Sequence, residues 1–329
     1  ASRSTAPGAS NRKDATILVG EPRYSGFDHN QFSVGYVAEH RVNDAWTVRQ
    51  HTRISQVDIT YRRISATGLD DTGTSLRRRV RTFDERNNQS AVDTHIEGNV
   101  GTGALRHKIL VGLDFERQQT TNLTYTGSVP DLNIRDPIYG SAVSVSPVAD
   151  NDDSAQRWGQ LGIYAQDQIA FGKSWLLTAG GRLDRSTVKT LDHQALTEQK
   201  QRDTKFSGRI GLSYLTSINV TPYFSYAESF LPVVGRDLDS NPFKPTEAKQ
   251  YEVGLKYAPS SCRSLFTAAL FDLRKTHVLT ADPRDTEYQV QRGEVSSRGL
   301  ELEAKTELFK GLEATANLTL NNVKISRSN

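Results

Sequence analysis

The chain's chemically capable side chains are many, but they are poorly grouped for catalysis. Seven histidines, His29, His40, His51, His95, His107, His193 and His277, are scattered along the sequence. They lack the short spacing that gathers three or four ligands around a metal. Cys262 stands alone, so neither a thiolate cluster nor a disulfide framework is available. No metal, no cofactor and no catalytic residue is expected. Glu301 and Glu303 lie two apart. Paired carboxylates hydrolyse glycosides, but two acids on one strand face also make an ordinary polar wall. Gly101-Thr102-Gly103 reads as a plain tight turn, and there is no nucleophile elbow or phosphate-binding glycine loop. The densest basic run, Arg77-Arg78-Arg79 with Arg81, suits nucleic acid in one reading. A solvated strand near a loop mouth is the alternative taken here, so no nucleic-acid partner is expected. The Asn-X-Thr tripeptides at Asn122, Asn219 and Asn317 match the glycosylation pattern by chance.

The elements that hold these residues follow from composition. Of 329 residues, 36% are hydrophobic and 24% are charged, with a formal charge of +3. Soluble domains run at roughly 45–50% apolar with glycine counted, so one large dry core is a poor fit. No stretch approaches the ~20 apolar residues of a membrane helix. With 27 aromatic residues and nearly balanced charge, disorder is a poor fit as well. The chain carries no Met and no secretion signal, which predicts a processed or truncated piece of a longer protein.

Alternation supplies the missing architecture. Leu300, Leu302, Ala304, Thr306 and Leu308 share one face, while Glu301, Glu303, Lys305 and Glu307 share the other. Tyr251, Val253, Leu255 and Tyr257 alternate in the same way, as do Phe32, Val34, Tyr36 and Ala38, and Ile109, Val111, Leu113 and Phe115. Successive strand side chains point to opposite faces, so this pattern needs a different solvent on each. About twelve strands are predicted, over 31–42, 46–65, 77–100, 105–126, 157–171, 174–192, 203–216, 219–230, 248–258, 264–279, 285–309 and 312–326. Short turns alternate with longer connections at 66–76, 127–156, 193–202, 231–247 and near 280–284. That asymmetry predicts an all-β fold, a transmembrane antiparallel up-and-down β-barrel with short periplasmic turns and long extracellular loops. Trp46, Phe171, Trp175, Tyr214, Tyr223, Tyr226, Tyr257 and Phe309 gather near strand ends, where interfacial girdles form; β-propensity alone also favours them. A lipid-surface hydrolase would need a Ser/His pair facing lipid, and no such pairing is evident. All seven histidines are expected to face the lumen or the loops.

Several segments resemble TonB-dependent outer-membrane receptors of the ferric-siderophore branch. They are Gly162-Ile163-Tyr164-Ala165-Gln166-Asp167-Gln168, Gly180-Gly181-Arg182-Leu183-Asp184, Thr221 through Phe230, Gln250 through Tyr257, and Arg298-Gly299-Leu300-Glu301-Leu302-Glu303. Their order also matches the family. Gly35 through His40, with Thr47-Val48-Arg49-Gln50, is similar to the ferric hydroxamate (ferrichrome-like) receptors. The likeness runs from about residue 20 to residue 326. It implies that residues 1–329 are the middle part of a barrel of about 22 strands, without the family's plug domain and C-terminal strands. It also implies a bacterial outer-membrane receptor that imports a ferric siderophore with energy from the TonB complex, engaged through the plug or N-terminal segment. Iron then enters only as part of the ligand. A receptor for cobalamin, haem or an oligosaccharide, a passive porin, a soluble β-rich adhesin and an outer-membrane enzyme are the alternatives. Lipid and lipopolysaccharide are expected partners, the latter through bidentate contacts from the Arg77–Arg81 run to phosphates.

By the same resemblance, loop-side aromatics would hold the chelate. The candidates are Tyr61, Tyr125, Tyr139, Phe230, Phe243 and Tyr288, each equally able to pack its own loop.

Overall fold

A computed structural model describes residues 17–146, 153–193, 196–233, 235–239, 241–260 and 262–327, without the side chains of Thr286 and Glu287. Among these residues there is no helix. Twelve long strands form one antiparallel meander: β1 (Gly26–Arg41), β2 (Trp46–Leu69), β3 (Ser75–Thr102), β4 (Leu105–Ser128), β7 (Ser154–Phe171), β8 (Trp175–Asp192), β9 (Thr197–Tyr214), β10 (Val220–Leu231), β11 (Thr246–Tyr257), β12 (Ser264–Asp282), β13 (Asp285–Phe309) and β14 (Leu312–Arg327). Two short pieces, β5 (Leu132–Asn133) and β6 (Ser144–Val145), pair with β3 and β4. The predicted twelve strands are all present.

The register carries one face unbroken across the sheet. Phe115, Leu161 and Arg185 are in line, as are Leu113, Ile163, Leu183 and Phe206. Farther along, Val253, Leu270, Leu300 and Leu320 form another such row. These side chains stand in the open: Ile163 is 59% and Leu270 56% exposed. Among the described residues only Ile64, Val80, Val129, Leu132, Val188, Phe243 and Ala269 are buried apolar residues. The apolar rows therefore do not meet in a dry interior. They face lipid, which alone makes such a surface stable. Phe171, Trp175 and Tyr214 form a ring chain at the short-turn rim of this face, with centroids 6.1 and 4.7 Å apart. Tyr223, expected among the girdle, points the other way and donates to Glu252 Oε1 at 2.6 Å.

Connection lengths differ from the expectation. The strands climb well past the membrane, so 193–202 shrinks to residues 193–196 and 66–76 to residues 70–74. The β12–β13 link is just Pro283-Arg284, not a long loop. Hydrogen-bonded backbone above the bilayer reads as polar sequence because both of its faces meet water. Two long connections remain. In the β4–β7 connection, residues 129–146 pack with residues 17–25 against β2 and β3, giving a small dry cluster of Ile64, Val80 and Val129 with Tyr24 and Val143. Residues 232–245 close the β10–β11 hairpin.

That hairpin leaves the wall. The β9–β10 ladder runs only from Ser213/Tyr223 to Arg209/Ala227. Above it, Gly208 N donates to Glu228 Oε2 at 3.3 Å, Gln201 Nε2 donates to Phe243 O at 2.8 Å, and Lys205 pairs with Glu247 of β11. Leu231 and Pro232 come to rest beside Trp158 and Val188 of β7 and β8. The hairpin thus folds over the inward face of its neighbours.

Candidate functional site

The inward face of the wall carries a continuous polar network. Tyr164 Oη donates to Asp93 Oδ2 at 2.6 Å, and His95 Nδ1 meets Asp93 Oδ1 at 2.7 Å. Arg182 bridges Asp114 and the buried Asp184, with Nη2 to Asp114 Oδ1 and Nε to Asp184 at 2.8 Å each. Gly112 and Gly162 make this possible. A Cβ at Gly112 would stand 2.5 Å from the Tyr164 ring, and one at Gly162 2.0 Å from Arg182 Nη2. Large side chains lie flat across these glycines. Glu301 and Glu303 share this face, in register with Ala269 and Thr267, as the polar-wall reading expects.

Toward the loops the wall becomes neutral. Gln118, Thr120, Gln156, Trp158, Val188, Leu231 and Pro232 line an open-sided cleft of about 260 Å³ beneath the in-folded hairpin. Trp158 is held by a hydrogen bond from Nε1 to Ser186 Oγ, 3.0 Å long. No charged side chain is among these lining residues. The cleft therefore offers an aromatic wall, amides and a hydroxyl, which is the chemistry of a site for a neutral polar ligand.

A second aromatic group lies on the inward face of β1–β3. Tyr61 stacks on Phe83 at 6.0 Å and meets Phe27 edge-on at 5.8 Å, and the Arg63 guanidinium sits 5.7 Å from the Phe83 centroid. Of the six aromatics singled out in the sequence, Tyr61 alone joins such a cluster. Tyr125 is paired with Thr82 in the row that Tyr24 covers from outside. Tyr139 lies in the 129–153 connection beside Gly140, whose N–H donates to Glu21 Oε2 at 2.6 Å. Phe230 lies opposite Glu247, on the hairpin face turned toward β9. Phe243 is buried within its own loop, where a Cβ on Gly235 would touch its ring at 3.0 Å. Tyr288 is exposed on β13. The structure does not bring these six together. Trp158, Phe27 and Phe83 were missed, yet parity names Trp158: if Ile163 faces lipid, residues 158 and 164 face inward.

Three other expectations need correcting. Arg78 of the basic run is not solvated. It is buried and donates to Glu21, to Pro130 O and to Val19 O, with the Glu21 contact at 3.0 Å. Burial of chain segments 17–25 and 129–145 over β3 encloses it. His40 and His107 lie on the outward face, in register with Val48 and with Val100 and Ile169, instead of in the lumen or loops. And the outward face does hold a hydroxyl–imidazole pair: Thr102 Oγ1 and His107 Nε2 are 2.7 Å apart.

On the loop side, carboxylates organise the turns. Asp70 accepts from Thr72, Thr74 and Ser75, which holds its pKa down at about 2. Asp282 is likewise held at about 2 by hydrogen bonds from Arg284, which also pairs with Asp239 in the 232–245 loop.

Comparison with known proteins agrees with this architecture. Residues 2–328 match the family model "TonB dependent receptor-like, beta-barrel". The chain is 33% identical over 316 residues to the ferrichrome outer membrane transporter/phage receptor of Escherichia coli K12, covering 89% of this chain and 42% of that protein. It is 31% identical over 314 residues to the ferrioxamine B receptor of Salmonella typhimurium LT2, covering 95% and 44%. The chain spans less than half the length of these curated relatives. In fold it is similar to the crystal structure of the ferric-catecholate import receptor Fiu from E. coli K12, with a TM-score of 0.82 at 21% identity, covering 97% of this chain and 50% of that one. A strand meander with a lipid-facing outer surface, a polar lumen wall and a family match along nearly its whole length places this outer-membrane β-barrel chain in the TonB dependent receptor-like family.

Proposed function

We propose that the full protein is an outer-membrane receptor that binds a ferric siderophore of the hydroxamate type and imports it with energy from the TonB complex. The observation that carries the ligand class is the cleft around Trp158. Its described lining is aromatic, amide, hydroxyl and aliphatic, with no charge. Such a lining suits a compact neutral chelate and disfavours a polyanionic one, whose charges would be desolvated without partners. The names of the ferrichrome and ferrioxamine relatives support the same class. Tyr61, with Phe27 and Phe83, would add an aromatic wall at the β1–β3 side of the mouth. Phe243 and Phe230 would act by shaping the hairpin over the cleft, and Tyr125, Tyr139 and Tyr288 by shaping the rim.

Lipopolysaccharide is the expected lipid partner, but through different residues from Arg77–Arg81. Arg157, Lys189 and Lys200 stand side by side on the outward face of β7, β8 and β9. Arg117 and Arg202 lie two residues from that row and Arg185 four, beside Phe115, Leu161 and Phe206. Lys189 also pairs with Glu198 at 3.3 Å; the like charges that remain opposite one another destabilise a sheet, and a multiply phosphorylated headgroup would relieve that repulsion.

The test is uptake of a panel of labelled chelates by cells carrying the full gene: ferric hydroxamates, catecholates and citrate, with cobalamin and haem. Hydroxamate uptake that disappears without TonB is expected. Uptake that survives loss of TonB, or a preference for an anionic chelate, would overturn the reading.

A further inference from the structure

A polar chain lies on the outward face at the short-turn rim, on the opposite side of the wall from the cleft around Trp158. Thr102 ends β3, His107 lies just after the Gly103-Ala104 turn, and Asp167 lies on β7 opposite Ile109. Thr102 Oγ1 and His107 Nε2 are 2.7 Å apart, and His107 Nδ1 and Asp167 Oδ2 are also 2.7 Å apart. With Asp167 as the acceptor, Nδ1 carries the proton and Nε2 is left to accept from the Thr102 hydroxyl. This is a nucleophile, a base and an orienting acid in hydrogen-bonded order. Thr102 is exposed, whereas the His107 side chain is only 15% exposed.

The position adds to the geometry. Asp167 interrupts the outward row of Ile163, Ala165, Ile169 and Phe171, in line with Ile109 and Ala179. Its Oδ1 is buried and has no hydrogen-bond partner among the described residues. A carboxylate on the lipid face of a barrel costs stability that an aliphatic residue would not. The stacked rings of Phe171 and Trp175 mark the membrane boundary beside it. The hydroxyl thus sits where the ester groups of inner-leaflet phospholipids lie.

We infer that Thr102, His107 and Asp167 form an acyl-ester hydrolase site on the outside of the barrel, acting on glycerophospholipid esters of the inner leaflet. Thr102 Oγ1 attacks the ester carbonyl carbon and its proton passes to His107 Nε2. The acyl–oxygen bond to glycerol breaks, the departing alkoxide takes that proton, and the acyl group is left on Thr102. A water molecule, deprotonated by His107, then attacks the acyl carbon. Fatty acid leaves, and Thr102 regains its proton. Asp167 holds the imidazole in the required tautomer and is a positioning residue.

The test uses the full-length receptor purified in detergent and a short-chain diacyl phospholipid in mixed micelles, with fatty-acid release and labelling by a fluorophosphonate probe as readouts. Release at least 10-fold above that of Thr102→Ala and His107→Gln is expected, with Thr102→Ser retaining activity. The probe is expected on the peptide containing Thr102, lost in His107→Gln and weakened in Asp167→Asn. Heat-modified gel mobility reports whether each variant is a folded barrel; if His107→Gln is not, Thr102→Val and Asp167→Asn decide. Release no greater than in Thr102→Ala or Thr102→Val, or labelling elsewhere, overturns the proposal and leaves the three residues as a structural clasp of the β3–β4 hairpin.

Discussion

Replacing Gly162 with Ala tests whether the lumen network is held by geometry or merely tolerated. The new Cβ would stand 2.0 Å from Arg182 Nη2, 2.5 Å from Cζ and 2.8 Å from Asp184 Oδ1. A long side chain usually swings away cheaply, but this one is pinned at both ends. Restoring an ordinary contact of about 3.5 Å moves the guanidinium more than an ångström. Its 2.8 Å bonds to Asp114 and Asp184 then pass the roughly 3.5 Å limit of a hydrogen bond. Asp184, whose side chain is only 2% exposed, keeps just its bond from Gln160. Breaking a buried pair costs about 3–5 kcal/mol; with the Arg182 side chain 30% exposed, about 2–3 kcal/mol is expected. Gly159→Ala is the matched control on the same strand, because its Cβ would meet nothing closer than 3.8 Å. That variant should change stability by no more than about 0.5 kcal/mol. The assay is the urea midpoint of tryptophan fluorescence for the full-length receptor in detergent, with m unchanged. In an Arg182→Met background the Gly162→Ala cost should largely vanish, because the displaced group is gone. An equal loss in both backgrounds, or a loss no larger than that of Gly159→Ala, would refute the reasoning.

Three further outcomes follow from other parts of the molecule. Arg78→Met strands Glu21 in a buried site and should cost about 3–5 kcal/mol, seen as faster proteolysis within residues 129–145. Adding Glu21→Gln should recover part of the loss, and no recovery would mean that Arg78 acts by packing. Trp158→Ala should weaken chelate affinity by roughly 10- to 100-fold, the equivalent of about 1.5–3 kcal/mol of lost aromatic burial, while Trp158→Phe loses less; unchanged binding in Trp158→Ala and Tyr61→Ala together would remove the site assignment. Hydrogen bonds from Thr72, Thr74 and Ser75 to Asp70, and from Arg284 to Asp282, hold both carboxyls at about 2, below the ordinary aspartate value of about 3.9. Their contribution is therefore complete above the ordinary carboxylate value and fades as pH falls toward 2. Protection factors of the amides of Thr74, Ser75 and Arg284, which donate to these carboxylates, should hold from neutral pH to about 4 and fall below it; a fall between pH 8 and 6 instead would point to histidine.

Strand order and the identity of the lipid-facing rows were legible in the sequence, because a period of two with different partners on each face leaves a strong mark. Leu300, Leu302 and Ala304 fell where alternation put them. The binding site was less legible because proximity to a loop is a weak guide to direction. Tyr125 and Tyr61 are both loop-side tyrosines, yet Tyr125 sits in the outward row and Tyr61 in the inward one. Parity counted from Ile163 would have found Trp158. Nothing local could have shown that Arg78 is buried, since Glu21, Pro130 and Val19 reach it only through tertiary folding. The Thr102–His107–Asp167 chain was hidden for the same reason: Asp167 is 60 residues from His107.

The departure of the β10–β11 hairpin from the wall gives the mouth an uneven stiffness. Below Arg209 and Ala227 neighbouring strands are zipped by their backbones, and widening would tear the ladder. Above that level the closure is buttoned by side chains, chiefly Lys205 with Glu247 and Gln201 with Phe243. Buttons undo singly and in water at modest cost. The rim can therefore gape on this one flank to admit a bulky guest while the oil-immersed part of the wall stays zipped.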